Sequence, residues 1–145
     1  MEDLQDERDF YNLQRFVDAQ AQTYENACSE LRQGQKRGHW IWFVFPQIKG
    51  LGLSSTSLYY GITGREEAQA YLRHPILGPR LRVCTKLANA IEGRQIGRIF
   101  PGPDDLKFRS CMTLFSEVCS DNEEFLLGLK KYFGGQPDAA TLVRL

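Results

Sequence analysis

Apolar side chains recur three and four residues apart along most of this chain, so its elements read as amphipathic helices. From Leu13 the pattern runs Leu13, Phe16, Val17, Tyr24, Ala27, Cys28 and Leu31. It predicts a helix bent near residues 19–22 and stopped by Gly34, which tolerates the left-handed conformation in which helices often end. Ser55 is placed to cap a short helix carrying Leu58, Tyr59 and Tyr60. Thr63-Gly64-Arg65-Glu66 has the form of a capping box ahead of Ala68, Tyr71 and Leu72, and Pro75 closes that helix. Leu77, Leu81, Cys84, Ala88 and Ile91 then step along one face to Gly93. Ile96, Ile99 and Phe100 predict one more turn before Pro101-Gly102-Pro103. Asp104 and Asp105 stand where a helix N-terminus favours carboxylates, ahead of a stripe of Phe108, Cys111, Met112 and Phe115. Two overlapping capping boxes in residues 120–124 precede Phe125, Leu126, Leu129, Tyr132 and Phe133, which end at Gly134-Gly135. Asp138 is positioned to cap a last turn bearing Leu142.

One stretch breaks the pattern. Residues 36–47 (KRGHWIWFVFPQ) hold both tryptophans, one of the two histidines and Phe43 and Phe45. Strand propensity is high there, but no second strand-like run exists to pair with it, and a buried isolated strand leaves its backbone unsatisfied. The stretch therefore predicts a short buried helix ending before Pro46, followed by a loop over residues 46–54 with its tip at Gly50 and Gly52. The fold class that follows is all-α: one domain over residues 1–145, an irregular multi-helix array, with residues 1–8 a frayed, charged N-terminus.

Charge removes some functions. Eighteen basic and eighteen acidic residues cancel, and no basic stripe marks a general nucleic-acid or membrane-surface binder. Cys28, Cys84, Cys111 and Cys119 form no CxxC pair and no metal-ligand spacing with the histidines. Free thiols on apolar helical positions behave as small hydrophobes whose pKa burial raises. With no signal peptide or apolar run near the length of a membrane span, the chain is expected to be reduced and cytoplasmic, with no metal and no cofactor.

The chain resembles the domain-of-unknown-function family eighteen-ten, often mislabelled calpastatin. The resemblance rests on KRGHWIWFVFPQIKGLG over residues 36–52, Tyr60-Gly61-Ile62, His74-Pro75 with Leu77-Gly78-Pro79-Arg80-Leu81, Asp104-Asp105-Leu106-Lys107 and Ser110-Cys111-Met112-Thr113-Leu114-Phe115. Arg15-Phe16, Ala19-Gln20, Glu30-Leu31 with Gly34, and Glu67-Ala68 with Tyr71-Leu72 extend it over nearly the whole chain. It implies a mainly helical fold of this length and no established activity, substrate or cofactor. A calpastatin-like role does not fit a sequence this rich in aromatics and helix caps.

Three polar constellations border the aromatic stretch. His39 is a candidate general acid or base, with a backbone-bonded structural histidine as the alternative. Asp105 opens the helix that carries Lys107, Arg109 and Ser110; simple capping and i,i+4 pairing explain it equally. Lys36, beside Trp40 and Trp42, has the make-up of a site for an anion on an aromatic wall, although a surface cation beside a plain turn explains the same residues. The sequence therefore predicts a small anionic or nucleotide-like ligand bound in a cleft walled by Trp40, Trp42 and Phe45, with hydrolysis as the candidate reaction. His39 and Asp105 are the catalytic candidates, and Lys36, Gln47, Tyr60, Lys107 and Ser110 the further ligand contacts. The alternatives are a module that binds a protein or peptide on an exposed aromatic face, and a helical domain with no small-molecule site.

Overall fold

Helix after helix in this chain ends at a residue that cannot prolong it, and the connections are correspondingly short. The computed structural model describes residues 9–145; the frayed segment expected over residues 1–8 lies outside the described residues. Among the latter there are ten helices: α1 Gln14–Ala21, α2 Tyr24–Gln33, α3 Ile41–Val44, α4 Ser55–Tyr59, α5 Arg65–Arg73, α6 Leu77–Asn89, α7 Ile96–Ile99, α8 Asp104–Glu117, α9 Glu123–Phe133 and α10 Ala139–Val143. The all-α class read from the periodicity is the class observed.

The bend expected near residues 19–22 is a full break between α1 and α2 at Gln22 and Thr23. It places Gln20 where its Nε2 donates to the Phe43 carbonyl at 2.7 Å. Gly34 ends α2 at φ 81°, its N–H reaching the Glu30 and Leu31 carbonyls. The aromatic stretch forms the short buried helix α3, and Phe45 leaves it in an extended conformation ahead of Pro46.

Residues 46–54 form the expected loop, tied down at one point where Ile48 bridges Ile62: Lys49 N–H donates to Ile62 O at 2.7 Å and Ile62 N–H to Gln47 O at 2.9 Å. Three local expectations are corrected. Ser54, not Ser55, caps α4, its Oγ accepting from Ser57 N–H. Thr63 bonds Glu67 rather than Glu66, since α5 begins one residue later, and both bonds run one way: Glu67 Oε1 accepts the N–H and the hydroxyl of Thr63 at 2.9 Å. The boxes before α9 do not close: no side chain caps its N-terminus, and Asp121 and Glu124 pair instead with Arg82 on α6, at 3.2 and 2.8 Å. At the C-terminus Asp138 does cap α10, bonding Thr141 N–H at 3.0 Å, but the buried residue of that turn is Thr141 and Leu142 is exposed.

Helix α8 runs through the centre, with residues 110–116 all buried as well as Phe108. It packs against α9, α10, α3, α7 and α5, while α6 closes the other side against α9, α2 and α5. Two aromatic chains cross this core. One links Trp40, Phe45, Phe100 and Phe108, with Phe100 and Phe108 stacked at 4.8 Å. The other links Phe16, Tyr71, Phe115 and Phe125. Each such ring removed from water contributes about 1.5–3 kcal/mol. No helix among the described residues is long and apolar enough to cross a membrane.

Candidate functional site

The aromatic stretch divides between core and surface. Trp40 and Phe45 are 1% and 0% exposed, packed against each other and against Phe100. They are core residues and wall no cleft. Trp42 and Phe43 lie on the other flank of α3 and are half-buried, because residues two apart on a helix face nearly opposite ways.

The turn leading into α3 is organised by a residue that the sequence reading passed over as part of a helix. Oε1 of Glu30 accepts from Arg37 N–H at 2.7 Å, Gly38 N–H at 3.0 Å and the Trp40 indole at 2.8 Å. Burial raises the Glu30 pKa; the Gly38 and Arg37 amides, the indole and the charge of Lys36 outweigh it and hold the carboxyl below the usual range. The signal for this role was present in the i,i+10 pairing of a helix-end carboxylate with a buried indole, but only the return of the chain brings the two together.

The charged margin is a paired cluster. Lys36, 7% exposed, bonds Asp104 Oδ2 at 2.7 Å and the Gly38 carbonyl at 2.5 Å. Lys107 bonds the other oxygen of Asp104 at 3.1 Å, and its ammonium lies 4.2 Å from the centre of the Trp42 ring. Lys36, Trp42 and Lys107 are thus together, with Asp104 between the two cations. Asp105 turns back on its own helix, its Oδ1 accepting from Leu106 N–H at 2.8 Å. His39 is exposed beside this cluster in sequence, with no hydrogen bond to Asp105. The other expected contacts lie elsewhere. Ser110 bonds Leu106 O and Asp138 on the approach to α10. Gln47 is buried at the Ile48–Ile62 bridge, its Nε2 reaching Phe45 O at 3.4 Å. Tyr60 packs on Phe16 and Phe43.

A concave feature occurs on a different face: an open cleft of about 480 Å³. Its floor is the ion pair of Arg15 on α1 and Glu67 on α5, at 3.0 Å. Every Arg15 N–H is used, with Tyr59 O on Nε, Tyr11 O and Asn12 O on Nη1, and Gly61 O and Glu67 Oε2 on Nη2. The floor is therefore neutral and hydrogen-bonded. Phe10, Tyr11, Leu58 and Tyr59 form the walls, and Lys49, Asn12 and Thr63 reach the rim. Phe10 is 85% exposed. Two left-handed non-glycine residues flank the Phe10-Tyr11 pair, Asp9 at φ 44° and Asn12 at φ 54°. The turn is held by the Asp9 carboxylate, which caps α1 through Leu13 and Gln14 N–H at 2.7 and 2.9 Å, and by the Arg15 grip on two of its carbonyls.

This cleft was invisible in the sequence because its two floor residues are 52 positions apart and each sits in an ordinary helical pattern. The available signal was Phe10-Tyr11-Asn12, an aromatic pair on the polar approach to the first helix. Among the described residues no group of three or more histidine, cysteine, aspartate or glutamate side chains is gathered as a metal site. Burial pushes the Cys111 thiol well up and raises that of Cys119 despite Arg82 beside it.

Fold and site together define an all-α protein with a buried aromatic centre and an open, aromatic-walled cleft on a neutral floor. The chain belongs to the family described as "Protein of unknown function (DUF1810)", which matches residues 10–145. Its structure is similar to the crystal structure of the conserved hypothetical protein Rv1873 from Mycobacterium tuberculosis, with 54% sequence identity and a TM-score of 0.92 over 92% of this chain and 96% of that one. The comparison with curated proteins found no match.

Proposed function

We propose that this chain is a binding domain for a small anionic ligand with a planar group, held in the cleft between Phe10 and Tyr59. The observation that carries the reading is the exposed Phe10 ring, presented at the rim by a turn with two left-handed residues. Such a backbone costs about 1–3 kcal/mol per strained residue, and it persists here under two separate anchors. An exposed aromatic held this firmly is a stacking surface. The charge follows from the pairing: Arg15 and Glu67 neutralise one another on the floor, which leaves the ammonium of exposed Lys49 to set the sign of the rim. Asn12 and Thr63 supply polar contacts there. Glu67 is locked by Arg15 and Thr63, so the cleft favours binding over proton transfer.

The test is calorimetric titration with nucleoside monophosphates and aromatic carboxylates, beside their neutral counterparts. Stacking on one ring is worth about 1–3 kcal/mol, so Phe10→Ala is expected to weaken binding about 5- to 150-fold. Lys49→Gln should weaken the anions and leave the neutral compounds unchanged. Affinity that survives both substitutions but falls in Lys107→Ala would overturn the assignment and move the ligand to the Trp42 margin.

A further inference from the structure

Past Gly34 the chain runs beside the segment that forms α7. Arg94 Nη1 donates to Gly34 O at 3.3 Å and Lys36 N–H donates to Ile99 O at 2.7 Å, so two stretches 60 positions apart lie side by side. Arg32 and Arg37 stand on the first stretch, Arg94 and Arg98 on the second, and all four are exposed. None of them forms an ion pair with a described residue. The Arg37 side chain donates to Gln33 Oε1 at 2.9 Å and Arg94 to the Gly34 carbonyl, both of them neutral acceptors. Arg32 and Arg98 donate no hydrogen bond to a described residue. The carboxylates on these stretches are committed: Glu30 to two amides and the Trp40 indole, and Glu92 to Lys131 at 3.6 Å.

We propose that this face binds the phosphate backbone of a nucleic acid, with the guanidiniums of Arg32, Arg37, Arg94 and Arg98 as its phosphate contacts. Charge complementarity sets the sign of the partner, since uncompensated cations gathered on one face favour a polyanion. The residue type sets the geometry: a guanidinium is a planar fork whose paired N–H groups match two oxygens of one phosphate. The want of apolar surface separates a nucleic acid from an acidic protein. No exposed large hydrophobic side chain lies on residues 30–37 or 92–98. Protein interfaces centre on apolar residues, whereas nucleic-acid interfaces are polar and positively charged. Gln33 and Gln95, exposed among the arginines, carry donors and acceptors for sugars and base edges.

The fold assembles what the sequence does not display. The first stretch holds Arg32, Lys36 and Arg37, but Asp104 takes up Lys36, and Arg94 and Arg98 join only once the two stretches meet. The even balance of eighteen basic and eighteen acidic residues hides the face, because carboxylates such as Asp121 and Glu124 are spent on Arg82 at the α6–α9 contact. None of the four arginines lines the Phe10 cleft. The inference therefore stands apart from what that cleft binds.

The experiment follows the fluorescence anisotropy of labelled oligouridylate RNA, and of oligothymidylate DNA of the same length, with the full chain over a series of salt concentrations. Four phosphates neutralised on a single strand give a slope of about −2.8 in log affinity against log salt, so affinity should fall roughly 600-fold over a tenfold rise in salt. Either oligomer binding with that slope supports the proposal. R32Q and R98Q remove arginines that make no hydrogen bond within the described fold, and each should reduce the fall to about 130-fold. R65Q is the control: Arg65 donates to Glu117 O, about 20 Å along α8 from Asp104, and its loss should leave the slope unchanged. F10A should also leave it unchanged. Absence of binding to both oligomers at low salt would overturn the proposal, and this is read on the unsubstituted protein. So would a slope that R32Q and R98Q leave intact, or that R65Q lowers as much. Loss of oligomer binding in F10A would move the contact to the cleft and overturn it too. Polyglutamate that competes as well as unlabelled RNA would assign the face to an acidic protein segment instead.

Discussion

Replacing Glu67 by alanine removes one carboxylate from beneath the cleft and leaves the Arg15 guanidinium in place. The side chains of Arg15 and Glu67 are 7% and 2% exposed, so solvent reaches neither well. Four of the five Arg15 donors keep their carbonyl partners, while the fifth and the positive charge lose theirs. Thr63 loses the acceptor of its N–H and of its hydroxyl. Breaking a buried pair from one side costs about 3–5 kcal/mol, most of it the penalty of the uncompensated charge. For a chain of this length that corresponds to roughly 10–16 °C in Tm. Urea unfolding should report the loss as a lower midpoint at unchanged m, since the surface exposed on unfolding is the same. Glu67→Gln keeps the volume and an acceptor for Thr63 and removes only the charge, so about half the loss is expected. The double substitution Arg15→Met with Glu67→Leu should recover part of the alanine loss by removing the stranded charge. It cannot recover all, because four backbone carbonyls then lack a donor. If Glu67→Ala unfolds within about 1 kcal/mol of the parent, the four carbonyls alone balance the guanidinium and the reasoning about the floor is wrong.

Two further outcomes follow from other contacts. Glu30→Ala strands two amides and the Trp40 indole, with an expected loss of about 2–3 kcal/mol in urea unfolding. Because the folded Glu30 pKa lies below its unfolded value, the stabilisation is complete above the ordinary glutamate value of about 4.3 and disappears as pH falls through the folded value. Glu30→Gln should flatten that acid limb of the stability profile, and an unchanged limb would refute the assignment. Gly61→Ala places a methyl 2.7 Å from Lys49 Cβ and 2.8 Å from its Cα, inside the Ile48–Ile62 bridge. The strands of chain must part, so a loss of about 1–3 kcal/mol is expected by thermal unfolding, with faster amide exchange at Lys49 and Ile62.

How far the site was legible differs from residue to residue. Trp40 and Trp42 look alike in a list of residues, and both were expected on a cleft wall. One is under Phe100 and the other half-open beneath Lys107, because a short helix turns residues two apart to opposite sides. Lys36 was expected as a free cation next to an indole; it does lie 5.3 Å from the Trp40 ring centre, but Asp104, 68 positions on, holds its charge. Thr63 shows the finer grain: the capping pattern was readable and its partner was off by one residue, since the helix boundary depends on where Arg15 draws Glu67.

Periodicity, breakers and caps determined by themselves that this chain is helical, that its first helical stretch is distorted near residues 19–22, that helices stop at Gly34 and Gly134, and that Asp138 caps the last turn. These are local properties, set by φ preferences and by hydrogen bonds within a few residues. Only the tertiary structure decided which faces met. The Arg15–Glu67 floor, the Glu30–Trp40 hinge and the Lys36–Asp104 pair each join residues whose own turns look unremarkable. An amphipathic pattern says that a face must be covered and leaves its partner to packing, and a charge or a thiol acquires its chemistry from the neighbour that packing supplies.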